Sequence, residues 1–112
     1  MEYNPHETGT PDRPYGFVYH ITIHNDSPRV VTIKGRKWVV TNADTNSKLV
    51  IEGDGVVGEC PRLTPGTQFH YQSYHLIPWQ SAVAEGAYLG RIEDGERVFT
   101  RIPPFKMEVP SI

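Results

Sequence analysis

Glycine and proline recur so often along this chain that no helix of useful length fits between them. The 112 residues include ten of each. A proline inside a helix costs about 3 kcal/mol or more, and glycine in an element interior weakens it. Only Trp79 to Glu85 leaves room for a helical turn, and it is short. Between the breaks, the chain alternates apolar and polar residues with period two, the pattern of half-buried strands.

Residues 17–24, Phe-Val-Tyr-His-Ile-Thr-Ile-His, set Phe17, Tyr19, Ile21 and Ile23 on one face. Residues 29–42 form a longer strand. Val31 and Ile33 share a face before Gly35, whereas Trp38 and Val40 share a face after it. The apolar phase slips by one residue, and a bulge at Gly35 restores it. Lys48 to Glu52 make the next strand, and residues 67–78 another, with Phe69 and Tyr71 inward. Residues 86–93 and 96–102 flank Asp94-Gly95, a strong hairpin signal. Pro103-Pro104 break the last strand, and Phe105, Met107 and Val109 resume its alternation.

About seven short strands with frequent turns predict an all-β fold, an antiparallel sandwich or barrel, in one domain. Residues 1–16, rich in proline, read as an irregular lead-in with an edge strand at Glu2–Asn4; the domain proper spans 17–110. Cys60 is the single cysteine, so no internal disulfide forms, which fits a cytoplasmic location. A formal net charge of −2 argues against a nucleic-acid surface. No apolar stretch approaches the ~20 residues of a membrane span, and no leader pattern opens the sequence.

Gly53, Gly55 and Gly58 fit G-x-G-x-x-G. Dinucleotide sites need that motif between a strand and a helix, and Pro61 and Pro65 deny the helix. Two readings stay open. The glycines serve backbone geometry, or the loop Gly53, Asp54, Gly55, Val56, Val57 and Gly58 forms a nest of amides that holds phosphate, pyrophosphate or a nucleotide with Arg36. The strip Arg29, Lys34, Arg36 and Lys37 otherwise reads as an edge guarded by charge.

His20, His24, His70 and His75 are weak candidates for a transition-metal site. His20 and His24 are roughly 13 Å apart along a strand, so only one of them can join His70 or His75. Solvated histidines are the plainer reading. Tyr74, Leu76, Ile77 and Trp79 form an apolar patch for a partner if exposed together, or a lid on the core if buried. No catalytic constellation and no cofactor motif is found, so no enzyme activity is expected.

Three ordered blocks resemble the ApaG domain family, also called DUF525. They are Gly35-Arg36-Lys37-Trp38-Val39-Val40-Thr41-Asn42; Gly53-Asp54-Gly55-Val56-Val57-Gly58 with Pro61, Leu63, Pro65-Gly66 and Phe69-x-Tyr71; and Gly86-x-Tyr88, Gly95, Phe99, Ile102-Pro103, Phe105 and Pro110. The resemblance covers residues 17–110. It implies an immunoglobulin-like or fibronectin-type-III-like sandwich without disulfides, in a small bacterial cytosolic protein. It implies no established catalysis, a genetic association with cobalt resistance and magnesium efflux, and, in eukaryotic proteins, a protein-interaction role. A protein partner is therefore expected.

The chain departs from the family in its shortened first strand and in Tyr74, His75 and Trp79, where small residues are common. A shortened first strand leaves a neighbouring edge open to another chain, including a homo-oligomer.

Overall fold

The computed structural model describes residues 2–3 and 10–110, which form eight strands and no helix. They are β1 (Glu2–Tyr3), β2 (Tyr15–His24), β3 (Val31–Asn42), β4 (Lys48–Asp54), β5 (Arg62–Leu63), β6 (Gln68–Ile77), β7 (Ser81–Ile92) and β8 (Arg97–Glu108). All pairings are antiparallel. One sheet runs β1-β2-β6; the other runs β4-β3-β7-β8, with β5 also on β3. The two pack face to face as a β-sandwich, and Cys60 is free.

The core follows from alternation. In β2 and β6 the odd-numbered residues point inward, so Phe17, Tyr19, Ile23, Tyr71, His75 and Ile77 are buried. In β3 the phase changes as the sequence requires. Ile33 lies opposite Gly90 of β7 and Gly35 opposite Leu89, so Lys34 is the extra residue of a bulge. The slip sits one residue before the glycine. Beyond it Trp38 and Val40 turn inward.

The break expected at Pro103-Pro104 is corrected, and the one stretch with room for a helical turn is strand instead. Trp79–Glu85 holds no helical turn, because β7 starts at Ser81 and puts Ala82 and Ala84 into the core. Pro103-Pro104 do not break the last strand. Ile102 pairs with Gly86 and Phe105 with Ala84, so both prolines oppose Glu85 in a second bulge. β8 is a sheet edge, where a missing N–H costs no ladder bond. The expected edge strand at the start is present at Glu2–Tyr3; Asn4 lies outside the described residues.

An aromatic stack holds the sheets together. The Tyr19 ring lies 5.1 Å from Trp38 and 4.7 Å, nearly parallel, from His75; Trp38 meets His75 edge-on at 4.6 Å. The Tyr71 and Tyr88 hydroxyls, one from each sheet, hydrogen-bond inside the core. His75 Nε2 and Trp38 Nε1 are buried without a partner among the described residues. Burial lowers the His75 pKa from 6.5 to about 4.

The unfolded chain therefore binds a proton at His75 that the folded chain refuses between pH 6.5 and about 4. The stabilisation from neutral His75 is complete above pH 6.5 and is lost as pH falls through that window, by up to about 3 kcal/mol. Urea denaturation at stepped pH measures this. His75→Leu should flatten the slope between pH 6.5 and 4; an unchanged slope would rule His75 out as its source.

Candidate functional site

The glycine stretch begins where β4 ends. Arg36 of β3 lies directly opposite Gly53 of β4 and next to Tyr88 of β7. Because the Lys34 bulge has shifted the phase, Arg36 sits on the same face as Trp38. Its guanidinium folds over Gly53, where a Cβ would stand 2.6 Å from Nη1. Nη1 donates to the carbonyls of Asp54 (2.9 Å) and Gly55 (3.2 Å). Arg36 is thus a strut that caps the turn. Burial pushes the Tyr88 hydroxyl up to about 12, and the nearby Arg36 charge is one of the smaller influences that oppose this.

Half of the six loop amides are spent within the fold. The Gly55 N–H donates to the Lys34 carbonyl (2.7 Å), which ties the loop to the bulge. Val56 and Glu59 bond each other's backbone in both directions (2.7 and 2.9 Å), and Val56 is fully buried. Val57 and Gly58 make the turn between them, with φ of 45° and 80°. Positive φ at both positions is the type I′ pattern. Glycine meets that need at no steric cost; valine does not. A β-branched residue in the left-handed region costs about 1–2 kcal/mol. Val57 is nonetheless held there, 49% exposed at the tip.

A concavity beside the loop is lined by Arg36, Gly53 and Asp54 of the candidate site together with Lys34, Lys37 and Glu52. Lys37 pairs with Glu52 across its rim (3.4 Å). The structure therefore brings Arg36 and Gly53–Gly58 together, with the arginine bonded to backbone carbonyls and three amides, those of Asp54, Val57 and Gly58, unbonded among the described residues.

The four residues of the expected partner patch do not share one surface. β6 runs on to Ile77, and alternation sends that side chain fully into the core. Trp79 is half-buried and packs against the core. Tyr74, 50% exposed, and Leu76 face outward, and Val18 of β2 stands opposite Tyr74. The histidines divide as well. His75 is interior. His20 and His70 stack across β2 and β6 with ring centres 6.2 Å apart, and His70 Nδ1 bonds the Thr22 hydroxyl (2.7 Å). His24 is exposed. No set of three His, Cys, Asp or Glu with metal-site spacing occurs among the described residues.

Three exposed apolar side chains escape a reading from sequence, Val50 on the edge strand β4 and two others. Val57 is concealed because a glycine motif draws attention to its glycines. Phe99, 73% exposed, lies opposite Leu89 on the outer face of the larger sheet. Its signal is the phase of β8: with Ile102 inward, Thr100 and Val98 follow it and Phe99 points away.

The ApaG domain family model matches residues 5–91. A Shewanella frigidimarina protein called Protein ApaG is 37% identical over 111 residues, which covers 99% of this chain and 87% of that one. A Protein ApaG of Vibrio cholerae is 40% identical over 96 residues, 86% of this chain and 75% of that one. A structural-genomics X-ray structure superposes with TM-score 0.86 at 30% identity, covering 99% of this chain and 83% of that chain. A Bordetella pertussis crystal structure, described as an ApaA protein, superposes with TM-score 0.83 at 27% identity, covering 99% and 89%.

Two substitutions test the loop. Gly53→Ala should force the Arg36 guanidinium off its carbonyls and cost about 1–2 kcal/mol. In an Arg36→Ala background the same change should stabilise by about 0.5 kcal/mol, as Ala for Gly does in an unobstructed strand. An equal cost in both backgrounds, read by urea denaturation, would show that the arginine is not the obstacle. Val57→Gly should raise stability by about 0.5–1 kcal/mol through relief of the left-handed valine. A lower denaturation midpoint would contradict that strain.

Proposed function

The chain belongs to the ApaG domain family, and we propose that it is a non-enzymatic β-sandwich module that binds a protein partner. The observation that carries this reading is the tip of the glycine loop. Below the tip the loop is bonded internally through Gly55, Val56 and Glu59, Arg36 caps its carbonyls, and the tip itself presents a strained, exposed Val57. Strain held at an exposed apolar tip is a cost in the free protein and a gain in rigidity for recognition. Tyr74 and Val18 on the smaller sheet add a second exposed apolar point, of the aromatic kind enriched at interfaces. The link to divalent-cation handling that the family resemblance implies then runs through the partner, in the cytoplasm.

An anion sensor is the second reading. The concavity beside Lys34, Arg36 and Lys37 favours it; the bonds of the Arg36 guanidinium to backbone carbonyls do not.

Two experiments separate them. Titration of the 15N-labelled chain with pyrophosphate and with ATP should give no saturable amide shift at Gly53–Gly58 or Arg36. Saturable shifts converging there would replace the binding-module reading by the sensor. Affinity capture from native cytosol should retain a protein with the wild-type chain that Val57→Asp and Tyr74→Asp both fail to hold. Undiminished capture by both variants would remove these side chains from the interface.

A further inference from the structure

The two sheets present unlike outer faces. In the smaller sheet, β2 and β6 contain no Lys, Arg, Asp or Glu. In the larger sheet, cations gather at one end. Arg97, Phe99 and Arg101 of β8 point outward in succession, because Ile102 is buried and Thr100 and Val98 alternate with it. Arg91 of β7 lies directly opposite Arg97, and Leu89 lies opposite Phe99. Lys34, the bulge residue of β3, lines a concavity together with Leu89.

Like charges directly opposite each other on a sheet destabilise it. Arg91 and Arg97 are such a pair, both exposed. Among the described residues, neither of them nor Lys34 forms an ion pair. The acidic tip of the hairpin between the two arginines does not relieve the repulsion. Glu93 bonds Arg62 (2.7 Å) and Asp94 bonds Arg29 (3.0 Å). Glu96 opposes Ile92 and alternates to the other side from Arg97. Arg101 reaches Glu85 only at 3.7 Å. Amid these cations stands Phe99, at 73% the most exposed of the large apolar side chains described. Arg97 and Arg101 flank it two residues away on either side, each roughly 6.6 Å along the strand at ~3.3 Å per residue. Beside Leu89 the face dips into the concavity, about 520 Å³, where Gly35 contributes no side chain. The free domain thus keeps two unfavourable features together, opposed arginines and a ring in water. A ligand that is anionic and apolar at once removes both.

We propose that this end of the outer face binds an acidic segment of a protein partner, one that carries an apolar side chain among Asp and Glu residues. The apolar side chain packs on Phe99 and Leu89. The carboxylates take Arg91, Arg97 and Lys34. An arginine fork meets a carboxylate through two parallel N–H···O bonds, and arginine and aromatic side chains are the types that anchor protein interfaces. A nucleic-acid strand has the same sign of charge. Its phosphates, running on across the face, would meet Glu52 and Asp54 at the concavity and Glu85 beside Arg101. A short acidic segment needs only the three unpaired cations. The inference rests on the binding-module reading and names the chemistry of its partner.

The test is a titration of the 15N-labelled full chain with the acetylated, amidated peptide Gly-Glu-Asp-Leu-Phe-Asp-Glu-Gly. Three probes accompany it: the same peptide with Gln and Asn for its acids, the same peptide with Ser-Ser for Leu-Phe, and oligothymidylate. The acidic apolar peptide should give saturable shifts at Leu89, Arg91, Arg97 and Phe99, and its affinity should fall about tenfold between roughly 0.05 and 0.5 M salt. The uncharged peptide should give none, and the Ser-Ser peptide should bind about tenfold more weakly. Phe99→Ser should reproduce that loss. Arg97→Glu should abolish the shifts and yet raise the urea midpoint, since it turns an opposed like-charge pair into an opposite-charge one. No saturable shift at these residues overturns the proposal, as does an equal response to the uncharged peptide or undiminished binding by Arg97→Glu. A lower midpoint for Arg97→Glu removes the repulsion on which it rests. Tighter binding of oligothymidylate at the same amides overturns it in favour of a nucleic acid. Peptide shifts confined to Val57 or Tyr74 overturn this site and leave the binding-module reading standing, whereas pyrophosphate shifts at Gly53–Gly58 strike that reading itself.

Discussion

One extra residue, Lys34, decides which face of β3 meets the core. Without that bulge, either Ile33 or Trp38 would face water, because a strand has only two faces and a one-residue slip exchanges them. With it, both are buried. The same slip carries Arg36 to the interior face, opposite Gly53, and leaves the Lys34 carbonyl free to accept the Gly55 amide. The core tryptophan, the capping arginine and the glycine loop are three consequences of a single change of register. Trp38 then closes the sandwich through its contacts with Tyr19, His75 and Phe105.

Much of this is legible in the chain itself. The alternation from Phe17 to Ile23 and the change of phase between Ile33 and Trp38 contain the strand, its inward face and the bulge. The glycine motif is legible as a turn, because Pro61 and Pro65 deny it a helix. What escapes is whatever depends on a partner strand. Pro103-Pro104 read as a break, since only the sheet order places them on an edge where two residues can oppose Glu85. Ile77, beside Pro78, reads equally as partner surface or as a lid on the core until β6 is known to run its full length. The role of Arg36 needs the β3–β4 register, because Gly53 is seventeen residues away in sequence and directly opposite in space. The two-residue β5 has too little pattern to be seen at all.

The sheet edges show an uneven distribution of protection. The larger sheet ends in charged strands on both sides, and its β8 edge is further disrupted by paired prolines. The smaller sheet has neither device on β2 or β6. Both sheets bury one face against each other, so the difference is not one of stability. It is a difference in charge, and it coincides with the sheet that bears Tyr74 and Val18 on its outer face.

The pairing of β2 with β6 also has a consequence in time. Tyr15 meets Ile77 and His24 meets Gln68, so β2 waits for roughly fifty residues of further chain before its partner exists. At ribosomal rates of about 5–20 residues per second that is several seconds. During this interval an uncharged, β-branched strand stands unpaired along the whole of its β6 side, with only Phe17 and Val18 met by β1 on the other. Its lack of charge makes it the most hazardous segment during synthesis, and places the nascent chain among those that depend on prompt completion or on a holding chaperone.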